Sequence, residues 1–319
     1  MALKSGTLRW VALLLSSMLN VGAVAAADFE TPPPATFFGN LHTSIADAYF
    51  IESGASGTSW PEIDVGGKAA YQAPESRVGF QIDANGTGHS YSWDSPSVPF
   101  GGERIETLIA LHGTYDVDDQ IKLGFSANLE TRNINQSNIM DPAYTFDGRN
   151  NLSSASNYSC KGSLGLEALY MMRPNAWVQG RVGLARKFSD RTNWTDATTS
   201  ISSSQDFNVG QDYGYQLEFG AHMGLTENLS LDGEVSFVSF LPQGGGYDNA
   251  SAAALTGEYD FVDTGIAAYT QLEYQKYFSS VTTVEGYTIR TGLKWSLGEL
   301  TSTVRGKLFD SVGLFGHFN

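Results

Sequence analysis

The sequence predicts an all-β chain: a closed, antiparallel, up-and-down transmembrane β-barrel of about 12 strands, bounded by about 10 and 14. Three observations predict it. First, from Tyr213 to Leu241 the side chains alternate. Tyr213, Tyr215, Leu217, Phe219, Ala221 and Met223 are apolar or aromatic, and Gly214, Gln216, Glu218, Gly220 and His222 are polar or bare. After Thr226-Glu227-Asn228 the pattern resumes, with Leu229, Leu231, Val235 and Phe237 against Ser230, Asp232, Glu234 and Ser236. Successive strand side chains point to opposite faces, so this is a hairpin with one apolar and one wet face. Its arms run for about twelve residues, against the five or six usual in globular strands. Second, connections between such segments alternate between long and short, the asymmetry of a barrel with short turns at one end. Third, no helical period persists beyond the amino terminus, and no run of about 20 apolar residues follows it, which excludes a helix bundle in a membrane.

At the amino terminus, Lys4 and Arg9 precede an apolar stretch, Trp10 to Leu19, and then small residues up to Ala27. A charged start, a short apolar core and an A-x-A site predict a secretory signal peptide over residues 1–27, with a single barrel domain over 28–319. An uncleaved anchor helix is the alternative, weakened by the short apolar core. No cysteine stands at the cut, which argues against a lipoprotein. Pro32-Pro33-Pro34 then make an extended leader.

The first strand runs over Phe37–Phe50, with Phe37, Leu41, Ile45 and Tyr49 on one parity. Asp47 falls on that parity too, which predicts a bulge or an early end. Strand two carries Ile63, Val65, Ala69 and Tyr71 against Asp64 and Lys68; strand three carries Val78, Phe80, Ile82 and Ala84 against Gln81, Asp83 and Asn85. A loop with Pro96 and Pro99 leads to strand four, Ile105 to Tyr115, with Glu106 and His112 on its wet face. The Asp118-Asp119 turn leads to strand five, which sets Ile121, Leu123, Phe125 and Leu129 against Lys122, Ser126, Asn128 and Glu130. Strand six has Tyr158, Leu164, Leu166 and Tyr170 against Lys161, Ser163 and Glu167; strand seven has Val178, Val182 and Leu184 against Gln179 and Arg181. The hairpin described first supplies strands eight and nine. Pro242 to Tyr259 is predicted as a loop. Strand ten sets Ile266, Ala268, Leu272 and Tyr274 against Glu273 and Gln275; strand eleven sets Tyr287, Ile289, Leu293 and Trp295 against Arg290 and Lys294. A weak twelfth strand over Thr303–Phe318 rests on Val312, Leu314 and Phe318, with Lys307 and Asp310 against it.

The chain holds 19 basic and 34 acidic residues. Losing Lys4 and Arg9 with the leader takes the basic count to 17 and the formal charge to −17. Nucleic-acid binding needs a basic stripe, so that acidity excludes it and favours cations at a pore mouth. Cys160 is the only cysteine, so there is no internal disulfide. Its parity matches Tyr158 and Leu164, an apolar setting in which a thiol is unreactive.

A sheet with lipid on one face satisfies its backbone only by joining its first and last strands, because hydrocarbon offers no hydrogen-bond partners. The wet parity then lines the lumen. The candidate pore-lining residues are Lys68, Asp83, His112, Glu130, Glu167, Arg181 and Glu218, with His222, Asp232, Glu234, Glu273, Arg290 and Lys294. They either border a narrow aqueous pore or pair across the lumen and plug it. Catalytic signatures are sparse: there is no GxSxG, P-loop or HExxH. In Gly88-His89-Ser90 the His and Ser point to opposite faces unless the strand has ended, which leaves a lipid-modifying hydrolase as the weakest reading. No spacing supports a metal site or a cofactor, though His42 and His112 share the lumen with acids.

The signal peptide, the dyad repeat, aromatic-rich strand ends and Phe318 beside the terminal Asn319 give the chain its likeness: it resembles a Gram-negative outer-membrane β-barrel protein of the porin-like kind. The resemblance implies Sec-type export to the bacterial outer membrane, contact with its lipid and lipopolysaccharide, and a passive pore for small polar solutes or ions. It also implies no catalytic activity, no cofactor, and a possible homo-oligomer. A structural or surface-interaction barrel with a plugged lumen is the alternative.

Overall fold

A computed structural model describes residues 36–52, 58–73, 75–93, 100–139, 151–206, 213–241, 248–262, 264–279, 283–297 and 304–310. The predicted leader over 1–27, the Pro32–Pro34 run, the Pro96–Pro99 loop and the parity of Val312, Leu314 and Phe318 lie outside them.

Apolar–polar alternation turns nearly all of the described chain into strands. They are β1 (Thr36–Glu52), β2 (Thr58–Gln72), β3 (Val78–Trp93), β4 (Phe100–Asp116), β5 (Ile121–Ile139), β6 (Leu152–Arg173), β7 (Ala176–Asp196), β8 (Ser202–Asp206), β9 (Tyr213–Gly224), β10 (Leu229–Leu241), β11 (Asp248–Phe261), β12 (Ile266–Ser279) and β13 (Thr283–Leu297). Each pairs antiparallel with its neighbours, and β1 closes on β13 from Gly39↔Leu297 to Glu52↔Val284. β6–β7 and β7–β9 complete the ring, so the barrel has twelve strands. β8 stands outside it, and among the described residues it pairs with the far end of β7 alone. Closure leaves no open edge in the ring, as hydrocarbon demands.

The pattern of burial is inverted relative to a water-soluble domain. Among the described residues 28 polar or charged side chains are buried, against 16 apolar ones. The outward parity is apolar and bare: Leu184 is 75% exposed, Ile45 69% and Leu166 64%. A contiguous belt of that kind is a membrane surface. On β6 it is framed by Tyr158 and Tyr170, the aromatic girdles of such a belt. Above it the outward positions turn polar, with Asn133 and Asn135 on β5, Ser154 and Ser156 on β6, and Asn193 and Thr195 on β7. The 22 residues of β6 exceed the 9–11 or so that a bilayer needs, so β5–β8 project beyond it as a polar ribbon.

Two elements differ from the sequence-based expectation. The segment predicted as the loop Pro242–Tyr259 holds most of a strand, β11, which begins at Asp248 and runs on to Phe261. Ala250, Ala252 and Ala254 face inward there and Ala253 outward, so the two parities hardly differ in size and the alternation vanishes from the sequence. Conversely, residues 304–310 of the expected twelfth strand join no strand of the sheet; they form a 3-10 turn (Val304–Gly306) and an extended stretch inside the barrel. Twelve strands close the barrel, with β11 in place of the last segment. β1 passes through Asp47 in unbroken register, without the expected bulge or early end.

The short connections gather at one end. At 117–120 the Asp118 carboxylate accepts the backbone N–H of Gln120 and of Ile121, each at 2.8 Å, and so caps its own turn.

Candidate functional site: the barrel lumen

Cross-strand register stacks the inward side chains in rows, and their sizes divide the lumen in two. On β2–β7 the rows are filled. Arg181 lies flat on the wall because Gly165 gives it room: a Cβ at 165 would stand 2.6 Å from Arg181 Nε. Its guanidinium donates to Ser126 Oγ at 2.8 Å and Ser163 Oγ at 2.7 Å, pairs with Glu167 at 3.3 Å and Glu218 at 3.2 Å, and bonds Gln216. His112 carries the network on, 2.9 Å from Glu167 and 3.5 Å from Asp83. A second cluster lies further toward the long-loop end. Asp64 is held by His42 at 2.9 Å, Thr87 at 2.9 Å and Asn85 at 3.0 Å. Arg290 stands 3.7 Å from Asp64 and pairs with Glu62, which lies 3.5 Å from His89. Opposite charges that share hydrogen bonds are what makes such burial tolerable.

Residues 304–310 occupy the short-turn end of this filled half. Lys122 Nζ donates to the carbonyls of Arg305 at 3.1 Å and Lys307 at 2.6 Å, and Arg305 donates to the Ala73 carbonyl at 2.7 Å. The Phe309 ring packs with Leu169, Met171 and Trp177. Asp310 pairs with Lys68. Withdrawal from water alone raises the Asp310 carboxyl, but the Lys68 ammonium prevails and holds it below the usual carboxylate range.

On the other side, along β9–β13 and β1, a cavity of about 680 Å³ runs from Asn175 and Glu227 at the short-turn end to Val238, Ala250 and Gln275. The alanines of β11 make the room. Among the described residues ten carboxylates border it: Asp64, Glu106, Glu130 and Glu227, then Asp232, Glu234, Glu258, Asp260, Glu273 and Asp310. Four described Lys or Arg do so, Lys68, Arg290, Lys294 and Lys307, and Lys294 is bonded to Glu258 at 2.7 and 2.9 Å. At the mouth His222 stacks on Trp177 with centroids 3.7 Å apart and lies 2.6 Å from Asp232.

The candidates named from sequence thus split between the two halves. Lys68, Glu130, His222, Asp232, Glu234, Glu273, Arg290 and Lys294 border the cavity. Asp83, His112, Glu167, Arg181 and Glu218 belong to the filled half. Sequence reasoning did not single out Glu258 and Asp260, which lie on the unrecognised β11, nor Phe309 and Asp310. His89 and Ser90 are adjacent residues within β3, which runs on to Trp93, so the strand does not end between them. Among the described residues no three His, Cys, Asp or Glu side chains gather to hold a metal ion.

No family model matches the chain, and no curated protein does. Solved structures do resemble it. The translocator domain of the autotransporter NalP from Neisseria meningitidis is 12% identical, with 91% of this chain and 97% of that one covered and a TM-score of 0.47. The β domain of the Bordetella autotransporter BrkA is 11% identical over 82% of this chain and 99% of that one, at 0.49. The toluene transporter TodX of Pseudomonas putida is 10% identical over 83% and 90%, at 0.45. The barrel assignment rests on the strand register and the closure of β1 on β13, not on these likenesses.

Proposed function

We propose that the chain is a passive pore of a bacterial outer membrane, admitting small polar solutes and passing cations ahead of anions. The acid-walled cavity beside the filled half supports this reading most strongly. The cavity along β9–β13, which the described residues 304–310 do not fill, gives room for water and small ions. A surplus of fixed carboxylates concentrates cations in a narrow lumen of low-dielectric walls. The outward belt would meet outer-membrane lipid and lipopolysaccharide. The test is the reversal potential of the folded protein in a planar bilayer under a salt gradient. Cation preference is expected, and E258Q/E273Q should reduce it; an unselective or anion-preferring current would contradict the proposal.

A second reading has its own observation. The ion-pair network and residues 304–310 close half of the lumen, which suits a structural barrel. Folded protein that inserts but carries no current would favour that reading.

A further inference from the structure

Residues 309 and 310 are held in the lumen as a ligand is held in a site. Three side chains on three strands each grip them twice. Gln81 on β3 donates Nε2 to the Phe309 carbonyl at 2.7 Å and accepts its N–H at 3.0 Å. Gln179 on β7 donates to the Asp310 carboxylate at 2.9 Å and accepts the Asp310 N–H at 3.3 Å. Lys68 on β2 reaches the Phe309 carbonyl at 3.4 Å and pairs with the Asp310 carboxylate. The ring enters a niche between Leu169 and Met171, with His112 stacked over it at 6.1 Å and 10°. Gly124 forms the floor: a Cβ there would meet the ring at 2.8 Å. Every one of these groups belongs to the barrel wall, so the niche does not depend on the segment that fills it. Its carboxylate end, at Lys68 and Asp310, opens onto the acid-walled cavity.

We propose that this niche is a binding site for small aromatic carboxylates joined through an amide, and that Phe309–Asp310 is a tethered occupant which such a solute displaces. The ligand class follows from the wall. A flat ring fills the space over Gly124, an amide meets Gln81 and Gln179, and a carboxylate meets Lys68. The anion arrives against the field of the acidic cavity, so this is a ligand site beside the current path rather than the path itself. The inference rests on the cavity being water-filled, as the pore reading requires, yet it is read by binding and not by current, so the two can fail separately.

The probe is N-(3-phenylpropanoyl)-β-alanine, which reproduces the ring, amide and carboxylate spacing of Phe309–Asp310. Its binding to the full chain is measured by isothermal titration in lipid nanodiscs, with folding verified by heat-modifiable gel migration. An occupant docked more than about nine times in ten masks the site by that fraction, so F309A/D310A should bind the probe at least about tenfold more tightly than the wild type. In the emptied variant K68M should weaken binding, G124L should abolish it, and N-acetyl-β-alanine, which lacks the ring, should not compete. If folded F309A/D310A binds the probe no tighter than the wild type, or K68M in that background changes nothing, the proposal is overturned.

Discussion

Arg181→Met is the sharpest test of how the filled half is held. The Arg181 side chain is 3% exposed and faces two carboxylates, Glu167 at 3.3 Å and Glu218 at 3.2 Å, whose own side chains are 2% and 7% exposed. Removing the guanidinium takes away the cation that the two buried acids share; Glu167 keeps His112 at 2.9 Å while Glu218 keeps the neutral Gln216 amide. Breaking a buried pair from one side costs about 3–5 kcal/mol. The retained His112 contact argues for the lower end, about 3 kcal/mol, or more than a hundredfold in the folding equilibrium. The assay is urea unfolding in phospholipid vesicles, followed by tryptophan fluorescence. The triple variant R181M/E167Q/E218Q removes the stranded charges and should recover to within about 1 kcal/mol of wild type. If R181M alone lies within about 1 kcal/mol of wild type, the cluster is hydrated and screened, and the account of the filled half is wrong.

Further outcomes follow from the same geometry. Gly165→Leu forces a side chain into the Arg181 guanidinium and should destabilise by about 1–3 kcal/mol in the same unfolding assay. Leu164→Arg, midway between Tyr158 and Tyr170 on the outward face, should cost about 2–4 kcal/mol, whereas Asn193→Arg on the polar ribbon should be close to neutral. Lys294→Gln removes one of the bases from the cavity wall and should shift the reversal potential further toward cation preference. Acid should loosen the luminal segment. Because Lys68 holds the Asp310 carboxyl below its unfolded value, the pair stabilises docking above the ordinary carboxylate range and is lost as pH falls through the lowered value. Conductance should therefore rise on acidification below about pH 4, and D310N should lose that step while conducting more at neutral pH.

Much of this architecture is legible from alternation alone, and the exceptions have physical causes. Alternation reports which face a side chain takes, so Lys68, Glu234 and Arg181 are assigned to the lumen from sequence. It does not report which half of the lumen, because that depends on what stands opposite. Arg181 lies in the packed half because Gly165 and Ser163 leave room beside it, and Glu273 lies on the cavity because the facing β11 positions are alanines. β11 itself escapes the sequence pattern because an alanine looks alike on the lipid and water sides. The luminal segment escapes it for a different reason. Gln81 and Phe309 are 228 residues apart, and Gln179 and Asp310 are 131 apart, so nothing local marks their meeting.

The most direct measurement is thiol accessibility on β11 in a C160S background, comparing A252C with A253C in proteoliposomes. Ala252 borders the cavity and Ala253 takes the outward parity one residue on. A membrane-impermeant, water-soluble thiol reagent should modify the A252C variant and reduce its current, and should leave the A253C variant untouched. Equal modification of both variants, or modification of A253C alone, would contradict a barrel whose β11 walls a water-filled half-lumen.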